Sequence, residues 1–265
     1  MTTTTTHQPQ PDHLRPLAHR TAIVTGSTSG IGASIARTLA RDGAHVLVTG
    51  RDRTRGDAVV DEIRAAGDKA DFLAVDLIGP SDHLRAFASE ADALLSQRID
   101  ILVNNAGVYP ATSTETLSDD DLDTMLAVNV RAPHVLVAAL APAMAQRGSG
   151  AIVNIGSWMA RVGVPYAAMY SATKAATEQL TRTWAAEYGP RGVRVNTVAP
   201  GATLTPGNES SRSVLDVMTA GTPAGVVVRP QDIADGVAFL VSDRAAMIHG
   251  AILDVDGGMS STRLS

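Results

Sequence analysis

Seven short apolar runs punctuate the chain, at residues 21–25, 45–49, 72–77, 99–104, 151–155, 193–198 and 251–255. Each has the length and the Val, Ile and Leu content of a buried strand. Between nearly all of them the apolar positions recur with helical spacing, as in the stretch 33–41. Strands that alternate with helices predict βαβ units, hence a parallel sheet covered by helices on both faces. Right-handed crossovers make the expected fold class α/β, a single doubly wound domain of the Rossmann type. That domain is expected to run from residue 19 to 265, with no repeat or shift in composition dividing it. Residues 1–18, rich in Thr, Pro, His and Gln, offer little to bury and are expected to form a disordered tail.

The first run leads into Gly26-Ser27-Thr28-Ser29-Gly30-Ile31-Gly32, and a helical pattern follows. A strand, a glycine turn and a helix N-terminus make a phosphate cradle, because free N–H groups face the anion and glycines let it approach. The Gly-x-x-x-Gly-x-Gly spacing differs from the Gly-x-Gly-x-x-Gly of other dinucleotide folds. Such folds place an acid at the end of the second strand to hold the adenosine ribose. Here Gly50, Arg51 and Asp52 follow one another. Gly50 leaves room for a 2′-phosphate and Arg51 can pair with it, which favours NADP over NAD. Asp52 and the reading of Arg51 as a solvated charge stand against this. Asp76, expected to end the third strand, is either an acceptor for adenine or a plain turn carboxylate. The fourth strand ends in Asn104-Asn105-Ala106-Gly107, where a ring system can lie against the backbone or the chain can simply turn.

Two further stretches carry candidate chemistry. Ser118 and Asp121 resemble a capping box, and the helix they open is expected to pass through Asn129 towards Gln146. Pro133 has no N–H, so the Asn129 carbonyl is expected to be free to hold a water while its side chain braces the kink; alternatively the kink only curves the helix. Further on, Ser157 closes a buried strand, and Tyr170 and Lys174 stand one helical turn apart on a common face. A phenol ionises near ~10, and a neighbouring ammonium lowers that value. Tyr170 is thus a candidate acid or base tuned by Lys174, with Ser157 placed to bond an oxygen that gains charge. The plain alternative is a half-buried Tyr and a surface Lys.

Composition narrows the function classes. Cysteine is absent, which removes disulfides, thiol nucleophiles and Cys-bound metals, and no metal site is expected. A net charge of −5 argues against a nucleic-acid or anionic-membrane surface. No apolar run reaches a membrane span and the first residues lack a signal-peptide pattern, so a cytoplasmic location is expected.

Taken together, the glycine turn from Thr25 to Gly32, Asn104–Gly107, Asn129, Ser157, Tyr170-x-x-x-Lys174 and Pro200-Gly201 resemble the short-chain dehydrogenase/reductase family, in its 3-oxoacyl-reductase-like branch. The match in order and spacing spans about residues 20–259. The resemblance implies that Tyr170 donates or accepts the proton, Lys174 binds the nicotinamide ribose and lowers the Tyr170 pKa, Ser157 polarises the carbonyl and Asn129 holds a relay water. It implies a pyrophosphate turn of Gly26, Ser27, Thr28, Gly30, Ile31 and Gly32, with Arg51 at the ribose. Asp76 and Leu77 would meet adenine, Asn105, Ala106 and Gly107 the adenosine side, and Pro200, Gly201, Thr203 and Thr205 the carboxamide end. It also implies a dimer or tetramer. Thr203 replaces the usual Ile or Val, and the glycine turn lacks the basic residue of many NADP-using relatives.

The segment 204–229 has no strand pattern and is read as a mobile substrate lid. Trp158, Met159, Val164, Tyr166, Val108 and Tyr109 are candidate walls for an apolar ketone or secondary alcohol. Three readings stand: an NADPH-dependent reductase of a ketone or 3-oxoacyl group, an NAD-dependent alcohol or sugar dehydrogenase, and a dinucleotide-binding regulator without turnover.

Overall fold

The computed structural model describes residues 15–262. Seven parallel strands stand in the order β3-β2-β1-β4-β5-β6-β7. They are β1 (Thr21–Val24), β2 (His45–Gly50), β3 (Lys69–Ala74), β4 (Ile101–Asn104), β5 (Gly150–Ile155), β6 (Val193–Pro200) and β7 (Ile252–Val255). The chain winds outward from β1 in one direction and from β4 in the other. This leaves a crevice beyond the strand ends where the order reverses, which is where ligands bind in such sheets.

Strand residues alternate between two cores because the side-chain period is two. Ala22, Val24, Val46, Val48, Ile101 and Val103 pack with helices α1 (Gly30–Arg41), α2 (Arg53–Ala65) and α8 (Pro230–Val241). Ile23, Leu47, Leu102 and Ile152 face the opposite way, onto α3 (Ser81–Leu94), α5 (Ala132–Arg147) and α6 (Ala168–Tyr188). This second core contains a polar seam. Asn104 Nδ2 donates to Asn154 Oδ1 at 2.8 Å, Asn154 Nδ2 donates to Thr181 Oγ1 at 2.8 Å, and the Thr181 and Thr197 hydroxyls are 2.7 Å apart. Directional bonds in a buried setting fix register as apolar packing does not, so they hold α6 at one height over β4–β6.

Three expectations are corrected. The third strand lies at Lys69–Ala74, three residues earlier than the apolar run suggested, because its ladder is set by His45↔Lys69 through Gly50↔Ala74. Lys69, Ala70 and Asp71 hid it; Asp71 pairs with His45 and Arg64 across the edge. Asp76 therefore lies past the strand rather than at its end. The tail does not extend to residue 18: Leu17 is buried, its N–H meets the Asp42 carbonyl at 2.8 Å, and Arg15 bonds the carbonyls of Ala40 and Arg41 at the end of α1. Residues 1–14 lie outside the described residues. Finally, the helix opened by Ser118 is interrupted. It runs as α4 (Asp119–Leu126), a five-residue π turn at Ala127–Arg131, and then α5. Over 119–147 this run is long and apolar enough to cross a bilayer, but 61% of its most apolar window is buried in the protein, as in a core helix.

The segment 204–229 leaves and rejoins the domain through a narrow neck. Thr203 and Val228 form a parallel bridge, with Leu204 N–H to the Val228 carbonyl at 3.2 Å. Inside it α7 (Arg212–Ala220) forms, leaving Val214 and Val217 exposed. The chain's last turn holds its base: Ala224 N–H donates to the Gly257 carbonyl at 3.1 Å.

Candidate active site

A groove of about 480 Å³ lies across the ends of β1, β2 and β4, where the strand order reverses. Its floor is the glycine turn. Gly26 takes φ +63°, and a Cβ on Gly32 would sit 2.3 Å from the Gly26 carbonyl oxygen, so that position admits only glycine. Thr25 and Asn105 lock the turn onto β4: Thr25 Oγ1 accepts from the Asn105 and Ala106 N–H groups, and Asn105 Nδ2 donates to the Thr25 carbonyl at 2.8 Å. Ser29 precedes α1 with no side-chain cap, and the first turn carries no acid. The helix N-terminus is left open to an anion, as a pyrophosphate requires.

Of the expected cofactor residues, Gly26, Thr28, Gly30, Ile31, Gly32, Arg51, Asp76, Leu77, Asn105, Ala106, Gly107 and Thr205 line this groove. Ser27, Pro200, Gly201 and Thr203 do not. Ser27 is wholly buried; its hydroxyl donates to the Val24 carbonyl at 2.7 Å and accepts from Thr49 N–H, tying β1 to β2. A Cβ on Gly201 would meet the Asp256 backbone at 2.6 Å, and Thr203 Oγ1 turns to the Gly201 carbonyl, so both serve the β6–β7 junction.

Arg55 lines the groove beside Arg51, one turn along the start of α2, and the sequence reading missed it. Helical spacing from Arg51 would have found it. Asp52 pairs with one of these guanidinium groups, that of Arg55. Its carboxylate caps α2 by accepting from Arg55 N–H at 3.0 Å and from Arg55 Nε at 2.8 Å, which lowers its pKa. Gly50 also lines the groove, where a side chain would strike Thr28 Cγ2 at 2.7 Å.

Ser157, Tyr170 and Lys174 converge beyond β5. Ser157 Oγ accepts from Met159 N–H at 3.2 Å, which leaves its own proton to donate, and it hydrogen-bonds Tyr170. Burial pushes the Tyr170 phenol up to about 12, only partly offset by that bond, and the neighbouring Tyr109 adds to the rise. Lys174, also buried, falls to about 8 and donates to the Ile155 carbonyl at 2.8 Å. Its Nζ stands 5.7 Å from the Tyr170 ring centre. Burial, which favours the neutral form of each group, dominates both shifts, so the phenol ends raised rather than lowered.

Asn129 sits in the π turn. Its side chain clasps the Val108 backbone from both sides, Oδ1 accepting from N–H at 2.9 Å and Nδ2 donating to the carbonyl at 3.1 Å, and it reaches Thr173. It positions the 105–108 loop rather than bracing the kink. The Thr177 hydroxyl lies 3.4 Å from the Asn129 carbonyl, but its shorter bond, 3.0 Å, goes to the Thr173 carbonyl. Gly107 joins the two parts of the site. A Cβ there would lie 3.4 Å from Lys174 Nζ and 3.6 Å from Asn129 Oδ1, so the groove opens directly onto these groups.

Arg161 braces the wall behind them. It follows Ser157 by four residues, pairs with Asp254 on β7, and its Nε lies 3.4 Å from the buried Glu178 on α6. Among the candidate walls, Trp158 is buried, Tyr166 is 66% exposed with φ +62°, and Tyr109 lies against Tyr170 with ring centres 4.5 Å apart.

The family model described as enoyl-(acyl carrier protein) reductase matches residues 26–260. Cis-4-hydroxycyclohexanecarboxylate dehydrogenase of Sinomonas cyclohexanicum is 37% identical, covering 92% of this chain and 98% of that protein. Cyclopentanol dehydrogenase of Comamonas sp. (strain NCIMB 9872) is 34% identical, covering 91% and 97%. A solved structure of a gluconate 5-dehydrogenase from Beutenbergia cavernae with bound NADP superposes with a TM-score of 0.87 at 38% identity, covering 93% of this chain and 98% of that one.

Proposed function

The chain belongs to the short-chain dehydrogenase/reductase family, and on that premise we propose that it is an NADPH-dependent reductase converting an apolar ketone to a secondary alcohol. Members of this family are oxidoreductases that act on alcohols and ketones with a nicotinamide cofactor. The choice of cofactor rests on the end of β2, where Gly50, Arg51 and Arg55 line the groove and Asp52 is turned onto its own helix. A 2′-phosphate there meets the guanidinium of Arg51, with that of Arg55, already paired to Asp52, beside it.

The groove residues fit the dinucleotide: the uncapped start of α1 takes the pyrophosphate, and Gly26 and Gly32 allow its close approach. Bound NADPH supplies the hydride. Ser157 Oγ donates to the carbonyl oxygen, and Tyr170 gives its proton to that oxygen as it becomes an alkoxide. With its phenol pushed up to about 12, Tyr170 is protonated at neutral pH but a weak acid, and it yields the proton to the more strongly basic alkoxide. Lys174, with a pKa of about 8, carries a positive charge in most molecules below that pH and stabilises the phenolate left behind. Asn129 keeps the 105–108 loop at the height that lets Gly107 pass the nicotinamide end to Tyr170.

The names of the two ring-alcohol dehydrogenases favour a second reading, oxidation of an alicyclic alcohol with the same residues. Titration with NADPH and with NADH, followed by nicotinamide fluorescence, separates the two. Tighter NADPH binding that falls about tenfold in Arg51→Ala, with NADH unchanged, is expected; a preference for NADH overturns the reductase reading.

A further inference from the structure

Tyr109 belongs to neither the groove nor the proton-handling trio, yet its ring lies on the ring of Tyr170, centre to centre at 4.5 Å with planes 37° apart. The residue before it is pinned, because both main-chain groups of Val108 are held by Asn129. Beyond it, residues 109–112 make no main-chain hydrogen bond among the described residues, and the Tyr109 side is 43% exposed. A large ring on a fixed pivot, backed by an untethered loop, can turn away from Tyr170 without breaking a bond.

Its position has a steric consequence. A carbonyl that takes protons from Tyr170 and a hydrogen bond from Ser157 must bring its carbon skeleton against the catalytic phenol. One side of that phenol is occupied by the Tyr109 ring, and the others are Ser157, Lys174 and the helix that carries it. A phenol ring is close in breadth to a five- or six-membered carbocycle and presents the same flat apolar face.

We propose that Tyr109 determines substrate specificity as a movable cover on Tyr170, and that a five- or six-membered ring of the substrate takes the place of the Tyr109 ring against the catalytic phenol. This rests on the ketone–alcohol reading of the site and narrows it to alicyclic substrates. Compounds broader than one ring meet the displaced Tyr109 and are rejected.

Two measurements test it. In the first, cyclohexanone is compared with a fused bicyclic ketone, using the purified full chain and its preferred nicotinamide. Tyr109→Ala is expected to shrink the ratio of their kcat/KM values at least tenfold, mainly through KM of the bicyclic ketone, while Tyr109→Phe keeps the ratio. The second needs no turnover: the alkaline absorbance titration of tyrosine in the chain without added cofactor, with Tyr170 identified by its loss in Tyr170→Phe. Uncovering by Tyr109→Ala admits water to Tyr170 and is expected to move its ionisation down by about a unit. The proposal is overturned if the ratio stays unchanged in Tyr109→Ala, or if the titration does. Should no ketone or alcohol react at all, the oxidoreductase reading fails, and the titration still decides whether Tyr109 covers Tyr170.

Discussion

On the nucleotide side of the cleft the walls are main chain. Strand ends, the glycine turn and the start of α1 shape the groove, and Thr25, Asn105 and Ser27 stitch them together with hydrogen bonds. On the side proposed for the substrate the candidate walls are side chains carried by loops, Tyr109, Tyr166 and Trp158, with α7 in the segment 204–229 as a further candidate. The first is held by the sheet's own bonding and has little freedom to vary. The second is held at a few points, chiefly the neck at Thr203, the bond to Gly257 and the Arg161 ion pairs, and between those points it can change without disturbing the fold. Recognition of a common cofactor suits the first construction, and selection among substrates suits the second.

The largest effect is expected where the two sides meet. Tyr170→Phe should lower turnover by about 10²–10⁴-fold with dinucleotide affinity within about twofold of the parent, measured by steady-state rates and fluorescence titration. An unimpaired rate would remove Tyr170 from the chemistry. A paired glycine substitution probes the contrast itself. Gly32→Ala forces a Cβ against the Gly26 backbone and should cost about 1–3 kcal/mol of stability together with most dinucleotide binding. Gly221, in the lid at φ −93° with nothing within 4 Å of an added Cβ, should accept Ala with a gain of about 0.4–1 kcal/mol in urea unfolding. Equal losses from both would show that the two sides are equally rigid.

On the substrate side, Arg161→Met takes from the buried Glu178 the nearer of its two cations and leaves Arg182. Because Arg161 is itself partly exposed, the expected stability loss is about 1–2 kcal/mol rather than that of a fully buried pair. Substrate KM should rise while dinucleotide affinity holds, and Arg161→Lys should recover part of the loss. A further effect lies in pH. The folded state lowers Lys174 to about 8 from 10.5, so between those values the unfolded chain binds more protons and stability should rise with pH, by about 3 kcal/mol at most. Tyr170, raised from 10 to about 12, works the other way: its contribution is present below pH 10 and lost as pH climbs through 12. Urea midpoints between pH 8 and 9.5 should therefore rise in the parent and stay flat in Lys174→Met.

The same division explains what could be read from the sequence. The sheet and the glycine turn were legible because apolar runs and invariant spacing are local signals, and six of the seven strands lie within two residues of where the pattern puts them. The third was displaced because its first half, Lys69-Ala70-Asp71, carries two charged residues, whose place in the sheet is set by pairing with β2. Side-chain direction was not legible: nothing in the order of residues says that Ser27 points inward, that Asp52 folds back on Arg55, or that Asn129 grips Val108. Lys174 was assigned an electrostatic effect that depends on distance and burial, which spacing along a helix does not supply. The contact between Tyr109 and Tyr170 joins residues 61 positions apart, and only the fold brings them together.

The bond between Gly257 and Ala224, with the pairing of Asp254 to Arg161, has a consequence for how the protein is made. Every residue that lines the nucleotide groove precedes residue 208, yet both anchors of the substrate side, Asp254 and Gly257, come well after it. The groove's lining is thus synthesised before either anchor of the substrate side is available. A chain terminated after Ser242 keeps the neck at Thr203 and Val228 and the approach of Arg161 to Glu178, but without Asp254 and Gly257 it is expected to hold the segment 204–229 and the loop after Ser157 less firmly.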